Sequence, residues 1–273
     1  ANTASARVYL KQWNTKVQRQ LENITEPLAT MAHEVTGEYP HDQLDYAWKT
    51  LMQNHPHDSI CGCSVDSVHR EMITRFEKAN EVGKYLADEA LRQLGEAIDT
   101  SGLPEASYPF VVFNTAGSPK TGEAEISIEL ERKRFAEGIP EALYAELEQR
   151  PKKVYHVETV DGKKLSAMIS EEKVAFGYDL PKDRFRVPYM ARTITIRLPI
   201  TEMPAFSWET FVLVEGAAEE QAGTLIEDAG RVLKNDQVQL EIQSNGTLTL
   251  TDKVTGVVLD DLLVFEDVGD VGN

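Results

Sequence analysis

The sequence predicts an α+β protein in which a three-helix bundle is followed by an antiparallel β-sandwich. Apolar residues recur at helical spacing as far as Leu94. From the Ser101-Gly102-Leu103-Pro104 segment onward they alternate with polar residues, which is the period of strands. We therefore predict two domains, a helical domain at 1–103 and a sandwich region at 104–273 that is incomplete at its C-terminus.

The helical part is predicted to contain a long, a short and a second long amphipathic helix joined by short connections, as in an antiparallel bundle. Pro27 interrupts the first helix and predicts a kink or a break, and Gly37 and Pro40 end it. Ser64 is placed to cap the third helix, and Asp66 complements its dipole. The apolar faces are Leu10, Val17, Leu21, Ile24, Leu28 and Met31; then Leu44, Ala47, Trp48 and Leu51; then Val65, Val68, Met72, Phe76, Ala79, Leu86, Ala90 and Leu94.

Short alternating segments with turn signals between them predict the sandwich. Asn245-Gly246 separates two such segments and predicts a hairpin with a type I′ turn. The charged stretch 131–153 predicts a long loop with a short helix. The strand candidates contain Val111 to Phe113, Ile126 to Leu130, Ile194 to Leu198, Trp208 to Val214, Val238 to Ile242, and Leu248 with Leu250.

Charge and composition exclude some classes of function. The formal net charge is -17, so the phosphates of a nucleic acid would be repelled. The sequence has no run of about 18 apolar residues, so no membrane span is expected. Cys61 and Cys63 are too close for an unstrained disulfide, and free thiols favour a reducing compartment, the cytoplasm. The sequence opens in the middle of a pattern at Ala1 and stops at Asn273 just after an unfinished acidic segment, so we expect a piece of a longer protein.

The segment His55-Pro56-His57-Asp58-Ser59-Ile60-Cys61-Gly62-Cys63-Ser64 carries the strongest chemical signal. Two imidazoles, a carboxylate and two thiols stand in a break between two helices. Nitrogen and sulfur ligands beside a carboxylate suit a divalent transition metal. From the residues alone, His57 remains open between a metal ligand, a general acid or base, and a buried histidine.

Two alternatives use the thiols. A structural zinc site could combine His55, His57, Cys61 and Cys63, but this spacing is not a usual zinc-binding pattern. A reactive pair near a helix N-terminus would lack the common C-x-x-C spacing. We instead expect both cysteines to be small buried residues in a tight turn around Gly62. The remaining candidates are expected to be structural: the histidines His33, His41, His69 and His156, and a calcium-like cluster of exposed loop carboxylates, Asp260, Asp261, Glu266, Asp267 and Asp270.

Taken together, these motifs resemble the glycoside hydrolase family 38 α-mannosidases, and the His-rich run is closest to the bacterial branch. The resemblance covers nearly the whole chain. It rests on Ser5-Ala6-Arg7-x-x-Leu10-Lys11, Glu26-Pro27-Leu28-Ala29, Trp48-Lys49-x-Leu51, Asn54 to Ser64, Phe113-Asn114-Thr115 and Phe265-Glu266-Asp267-x-Gly269-Asp270.

The resemblance implies a zinc-dependent retaining glycosidase that removes terminal α-linked mannose from glycans or mannosides. It implies an N-terminal catalytic α/β barrel, which is absent here, before the helical middle domain and a galactose-mutarotase-like sandwich. By motif, His57 would be one Zn²⁺ ligand and Asp58 would bind the sugar, whereas His55 receives no role. The nucleophile and the acid/base would lie in the barrel, so this chain would contain no catalytic residue.

The expected partners are therefore a mannoside substrate and the missing barrel of the same protein, and association into a homo-oligomer is compatible with the family. The chain alone is expected to be inactive. The alternative from another class is a non-catalytic carbohydrate-binding or scaffold module, which would have no barrel in front of it.

Overall fold

The computed structural model describes residues 3–181, 183–216, 225–227 and 230–266. The chain divides into two compact units, 1–219 and 220–273. In the first unit, helices are followed by two packed sheets, and the second unit is a sheet of its own. None of the helices within the described ranges is both long and apolar enough to cross a membrane.

The helices pack as the sequence predicts, around α5. One core cluster joins α1, α3 and α5, and a second joins α2 and α5 and also contacts Phe113 of the first strand. The helices are α1 Val8–Arg19, α2 Glu26–Thr36, α3 His41–Met52, α4 His57–Ile60 and α5 Asp66–Ala97, with a π-helical turn at Gln20–Thr25.

The expected kink or break at Pro27 takes the form of this π-helical turn, and the chain stays helical from α1 into α2. Pro27 lies in the first turn of α2, where a missing N–H is tolerated. A π turn directly before it lengthens the hydrogen-bond spacing, and the N–H of Glu26 donates to the carbonyl of Leu21. Thr25 is fully buried, and its hydroxyl lies 2.8 Å from the Gln20 carbonyl and 2.9 Å from the Gly83 carbonyl of α5.

Two predictions about the bundle are wrong. Ser64 does not cap α5: Val65 occupies the N-cap, and the described residues provide it with no side-chain cap. Val65 and Ile24, both predicted to face the core, are exposed. Val65 is exposed because its backbone is extended and lies outside the helical period, and Ile24 because the π turn shifts that period by one residue.

The first unit contains the predicted sandwich. One sheet has the antiparallel order β1-β8-β3-β4, and in the other β7 pairs with β2, β5 and β6. Residues from both sheets share one core, including Phe110, Val157 and Leu213 from the first and Ile194 and Ile196 from the second. The strands are β1 Ser107–Asn114, β2 Lys120–Arg134, β3 Tyr155–Thr159, β4 Lys164–Leu165, β5 Met168–Ile169, β6 Lys173–Asp179, β7 Val187–Met203 and β8 Ser207–Glu215.

The stretch 131–153 is more regular than predicted. Strand β2 continues to Arg134, a 3₁₀ turn follows at Phe135–Glu137, and the expected short helix is α6, Pro140–Glu148. Leu143 and Leu147 of α6 are buried.

The second unit is an antiparallel sheet of order β13-β12-β11-β10-β9. The predicted hairpin joins β11 and β12, but its turn is not type I′. Gly246 has φ 85° whereas Asn245 keeps a negative φ, and the N–H of Gly246 donates to the carbonyl of Gln243 at 3.0 Å. A longer loop with one left-handed glycine replaces the two-residue turn. The strands are β9 Leu225–Glu227, β10 Val232–Lys234, β11 Val238–Ile242, β12 Leu248–Asp252 and β13 Val258–Leu262.

Candidate functional site: the turn between α3 and α5

The His-rich segment is anchored to the bundle by the residue that precedes it. Asn54 is fully buried, and its side-chain amide donates to the carbonyl of Met72 in α5 at 3.0 Å. Its own N–H donates to the carbonyl of Leu51 at 2.9 Å, which closes the end of α3. These two hydrogen bonds tie Asn54 to both α3 and α5, so they fix where the chain leaves α3.

Backbone hydrogen bonds then close the segment on itself. The N–H groups of Ser59 and Ile60 donate to the carbonyl of Pro56, and that of Cys61 donates to the carbonyl of His57, at 2.9 to 3.0 Å. The N–H of Ser64 returns to the carbonyl of Asp58 at 3.1 Å. The four-residue helix α4 is therefore one turn of a closed loop.

Gly62 lets this loop reverse direction and lie against α1. Its φ is 81°, and a Cβ there would lie 3.2 Å from the carbonyl oxygen of Ala6. Glycine is the residue that accepts both the left-handed conformation and so close an approach.

Arg7 clamps the loop from the other side. Its Nε donates to the carbonyl of Gly62 at 3.3 Å, and its Nη2 lies 2.8 Å from Oδ1 of Asp66, the first residue of α5. One guanidinium thus joins the start of α1, the loop and the start of α5. The loop has no regular structure beyond α4, yet it is fixed at both ends and in the middle.

His57 and Asp58 project from this fixed loop. Their side chains are 91% and 69% exposed, and Nε2 of His57 lies 3.2 Å from Oδ1 of Asp58. An imidazole and a carboxylate therefore stand side by side and face away from the bundle. His57 is not the buried histidine that the sequence left open.

The prediction that the two cysteines are buried is wrong. Cys63 is exposed and Cys61 is partly exposed, both are free, and their sulfur atoms are 3.5 Å apart. Gly62 makes the expected tight turn, but the turn is at the surface. The hydrogen bond to Cys61, with partial desolvation and the nearby charge of Asp58, raises the pKa of the Cys63 thiol, which makes it a poorer metal ligand at neutral pH.

The alternative structural zinc site is not assembled. Within the described ranges, no group of three or more His, Cys, Asp or Glu residues could hold a metal ion. His55 turns instead to α1, where its Nε2 lies 2.8 Å from Oδ1 of Asn14. What the structure offers is a histidine that can contribute one ligand to a site completed by other residues.

The other candidates lie elsewhere. His69 is buried in α5, and His156 is buried in the sandwich with its Nε2 2.6 Å from Oε1 of Glu158. Of the acidic cluster, Asp260, Asp261 and Glu266 are exposed, and Asp267 and Asp270 lie outside the described residues. Arg7 and Asn54 belong to motifs that carry the family resemblance, but their roles in fixing the loop have no local signal because Gly62, Asp66 and Met72 lie far away in the chain.

Two family models match this chain. The model for the alpha mannosidase middle domain matches residues 1–94, and the model for glycosyl hydrolases family 38 C-terminal domain 1 matches residues 105–215. These ranges correspond to the helical bundle and to the sandwich of the first unit.

Comparison with longer relatives points to the same family as the two family models. A putative mannosylglycerate hydrolase of Halalkalibacterium halodurans is 35% identical over 275 residues, which is 100% of this chain and 30% of the relative. The crystal structure of an alpha-mannosidase from Enterococcus faecalis V583 is 58% identical, with a TM-score of 0.86 over 96% of this chain and 30% of that one. A second structure, of a glycosyl hydrolase family 38 protein from Enterococcus faecalis, is 57% identical, with a TM-score of 0.86 over 96% of this chain and 31% of that one.

The chain thus spans about a third of the length of the relatives that it matches. Within that span, the helical bundle, the sandwich and the His-rich loop between α3 and α5 all fall inside matched regions. The chain belongs to glycosyl hydrolase family 38.

Proposed function

We propose that this chain forms one wall of the active site of a zinc-dependent retaining α-mannosidase, which removes terminal α-linked mannose from glycans or mannosides. The observation that carries the proposal is the exposed pair of His57 and Asp58, 3.2 Å apart on a clamped loop of a family 38 chain. In this proposal, residues outside the chain complete the site.

The two residues have different roles in the proposal. His57 would supply one imidazole nitrogen to Zn²⁺, and Asp58 would accept hydrogen bonds from sugar hydroxyls. Their contact keeps both groups on the same side of the loop, so a metal and a sugar bound to them would be neighbours. When bound, Zn²⁺ would polarise and orient the sugar hydroxyls. A single imidazole fits a site that is shared with another domain.

The reacting carboxylates are proposed to lie in a barrel domain outside this chain. A retaining glycosidase uses one carboxylate as nucleophile and a second as acid and base. We assign neither role to a residue described here, and the 273-residue chain alone is expected neither to hydrolyse mannosides nor to hold zinc tightly. Substantial turnover of an aryl α-mannoside by the purified chain would contradict this.

The proposed substrate is any compound that ends in α-linked mannose. One relative is named as a putative mannosylglycerate hydrolase and another as an alpha-mannosidase. Both names refer to mannosides, which supports the mannosyl group and leaves the rest of the substrate to residues elsewhere. The free thiols of Cys61 and Cys63 support a cytoplasmic protein.

The proposal is tested by His57→Ala in the longer protein that carries this chain. We expect zinc affinity to fall by at least about tenfold and α-mannosidase activity to fall with it, because a metal ligand is removed. The matched control is His55→Ala, which removes an exposed imidazole two residues away whose partner is Asn14. Metal content is measured by elemental analysis after dialysis. Normal zinc content in His57→Ala would disprove the ligand role.

Asp58→Asn separates the sugar contact from the metal. It keeps the size of the side chain but weakens the acceptor for sugar hydroxyls, so we expect normal zinc content with a raised KM or a lowered kcat. The carbohydrate-binding or scaffold module remains the second candidate. It would be favoured if the longer protein bound mannosides without hydrolysing them and His57→Ala changed neither binding nor metal content.

A further inference from the structure

We propose that Cys61 and Cys63 are a reversible dithiol–disulfide site whose oxidation changes how His57 and Asp58 are held. The consequence for glycosidase activity rests on the proposed function, but the disulfide and its effect on the positions of these two residues do not. The proposal begins from the distance of 3.5 Å between the two sulfur atoms of these free cysteines.

The geometry favours closure of this pair. Cysteines with one residue between them are normally poorly placed for a disulfide. Here Gly62, with φ 81°, turns the chain so that both thiols lie on the same side of the loop. A disulfide bond is about 2 Å long, so the two sulfur atoms must approach each other by only about 1.5 Å. Arg7 holds the Gly62 carbonyl, so the fold maintains this arrangement.

The chemistry requires a two-electron oxidant, for which we name hydrogen peroxide. One thiol is oxidised to a sulfenic acid while the O–O bond breaks and one water leaves. The second thiol attacks that sulfur, the S–S bond forms, and a second water leaves. The resulting small ring is strained, so thiols such as glutathione should reduce it readily, unlike a structural disulfide.

The two thiols contact the site residues. Sγ of Cys61 donates to the carbonyl of His57, and Sγ of Cys63 lies 3.7 Å from both the carbonyl and Oδ1 of Asp58. A disulfide has no S–H group, and its formation moves both sulfur atoms. Oxidation therefore disrupts all three contacts at once and should displace the residues that present the imidazole and the carboxylate.

The 273-residue chain is a clean test system because it contains two cysteines, and any intramolecular disulfide must join them. The reduced chain is treated with hydrogen peroxide, free thiols are alkylated, and intact masses are recorded over time. We expect a monomer that has lost two hydrogens, formed on the order of tenfold faster in the folded chain than in urea, since folding holds the thiols together. Glutathione should reverse the change.

The matched controls are Cys61→Ser and Cys63→Ser, each of which should add oxygen or remain alkylatable without losing two hydrogens. Sulfinic acids or intermolecular dimers as the main product of the unsubstituted chain would overturn the proposal, and so would equal rates in the folded and unfolded chain. Neither result depends on glycosidase activity.

The effect on the site is measured by amide NMR of the reduced and oxidised chain. We expect the largest shifts at residues 57–64, and unchanged His57 and Asp58 amides would overturn the coupling. In the longer protein, oxidation should lower α-mannosidase activity in the unsubstituted form and leave the Cys61→Ser, Cys63→Ser double variant unaffected. If the longer protein has no such activity, the proposed function fails, whereas the disulfide and its NMR shifts stand.

Discussion

Gly83 faces the π-helical turn from the middle of α5, and we predict that Gly83→Ala destabilises the bundle although alanine is the better helix former. A Cβ at this position would lie 2.9 Å from Cδ2 of Leu21, 3.2 Å from Cγ of Gln20 and 3.3 Å from Oγ1 of Thr25. Leu21 and Thr25 are fully buried. Because Leu21 and Thr25 are packed on their other sides, we expect them to give way mainly by a shift of α5 away from the π turn.

The expected magnitude is a difference between two effects. Glycine to alanine in a helix stabilises by about 1 kcal/mol when the new methyl group is free. Overpacking a well-packed core costs about 1–3 kcal/mol, and separating α5 from the π turn also weakens the 2.9 Å contact between the Thr25 hydroxyl and the Gly83 carbonyl, worth about 1 kcal/mol. The net expectation is a loss of about 2 kcal/mol, or about 4–8 °C in the melting temperature.

The control is Gly95→Ala in the same helix, where the position of a Cβ has no described heavy atom within 4 Å. This variant should gain up to about 1 kcal/mol. Both are compared with the unsubstituted chain by urea and thermal unfolding, followed by the helical circular dichroism signal. If Gly83→Ala raised the midpoint as Gly95→Ala does, the steric reasoning would be refuted.

Two further predictions concern buried charged and titratable groups. Arg192→Met should cost about 3–5 kcal/mol in urea unfolding, since it leaves the buried carboxylate of Glu172 without its ion-pair partner, and adding Glu172→Leu should recover much of the loss. A double variant as unstable as the single one would contradict this. Burial lowers the pKa of His69, so stability should be full above the unfolded pKa of about 6.5 and should fall as the pH drops below it. His69→Leu should remove that dependence, and parallel curves of melting temperature against pH for the two proteins would refute it.

The broad fold was predictable because hydrophobic period is a local property. The change from helical spacing to alternation around residues 101–104 corresponds to the interval between α5 and β1. The errors arise where a distant partner decides the local geometry. Pro27 in a helical pattern predicts an interruption of the helix. The form of that interruption, a π turn, depends on the contact of Thr25 with Gly83, which lies 58 residues further along the chain. The same holds for Ile24, whose exposure follows from that turn.

The candidate site likewise combines features that the local sequence predicts with features that distant contacts determine. The residue types of His57 and Asp58 stand out in the sequence, and the exposure of both is what the proposed shared site requires. The exposure of the thiols was not predictable, because apolar character suggested burial, whereas the loop that carries them has no core of its own and lies on α1. Arg7, which joins Gly62 to Asp66 across 55 to 59 residues, gives no local signal at all.

These long-range contacts would allow an exposed loop to serve the proposed site, which it does not complete. A flexible loop would have to be ordered when metal and sugar bind, at a cost in affinity for every immobilised side chain. Here the backbone of the loop is already ordered by folding, since Asn54 fixes the start of the loop and Arg7 fixes its return. The backbone that carries His57 and Asp58 is thus fixed before anything binds. The residues proposed to give the loop its function differ from Asn54 and Arg7, which give it its shape and lie next to the ends of α3 and α1.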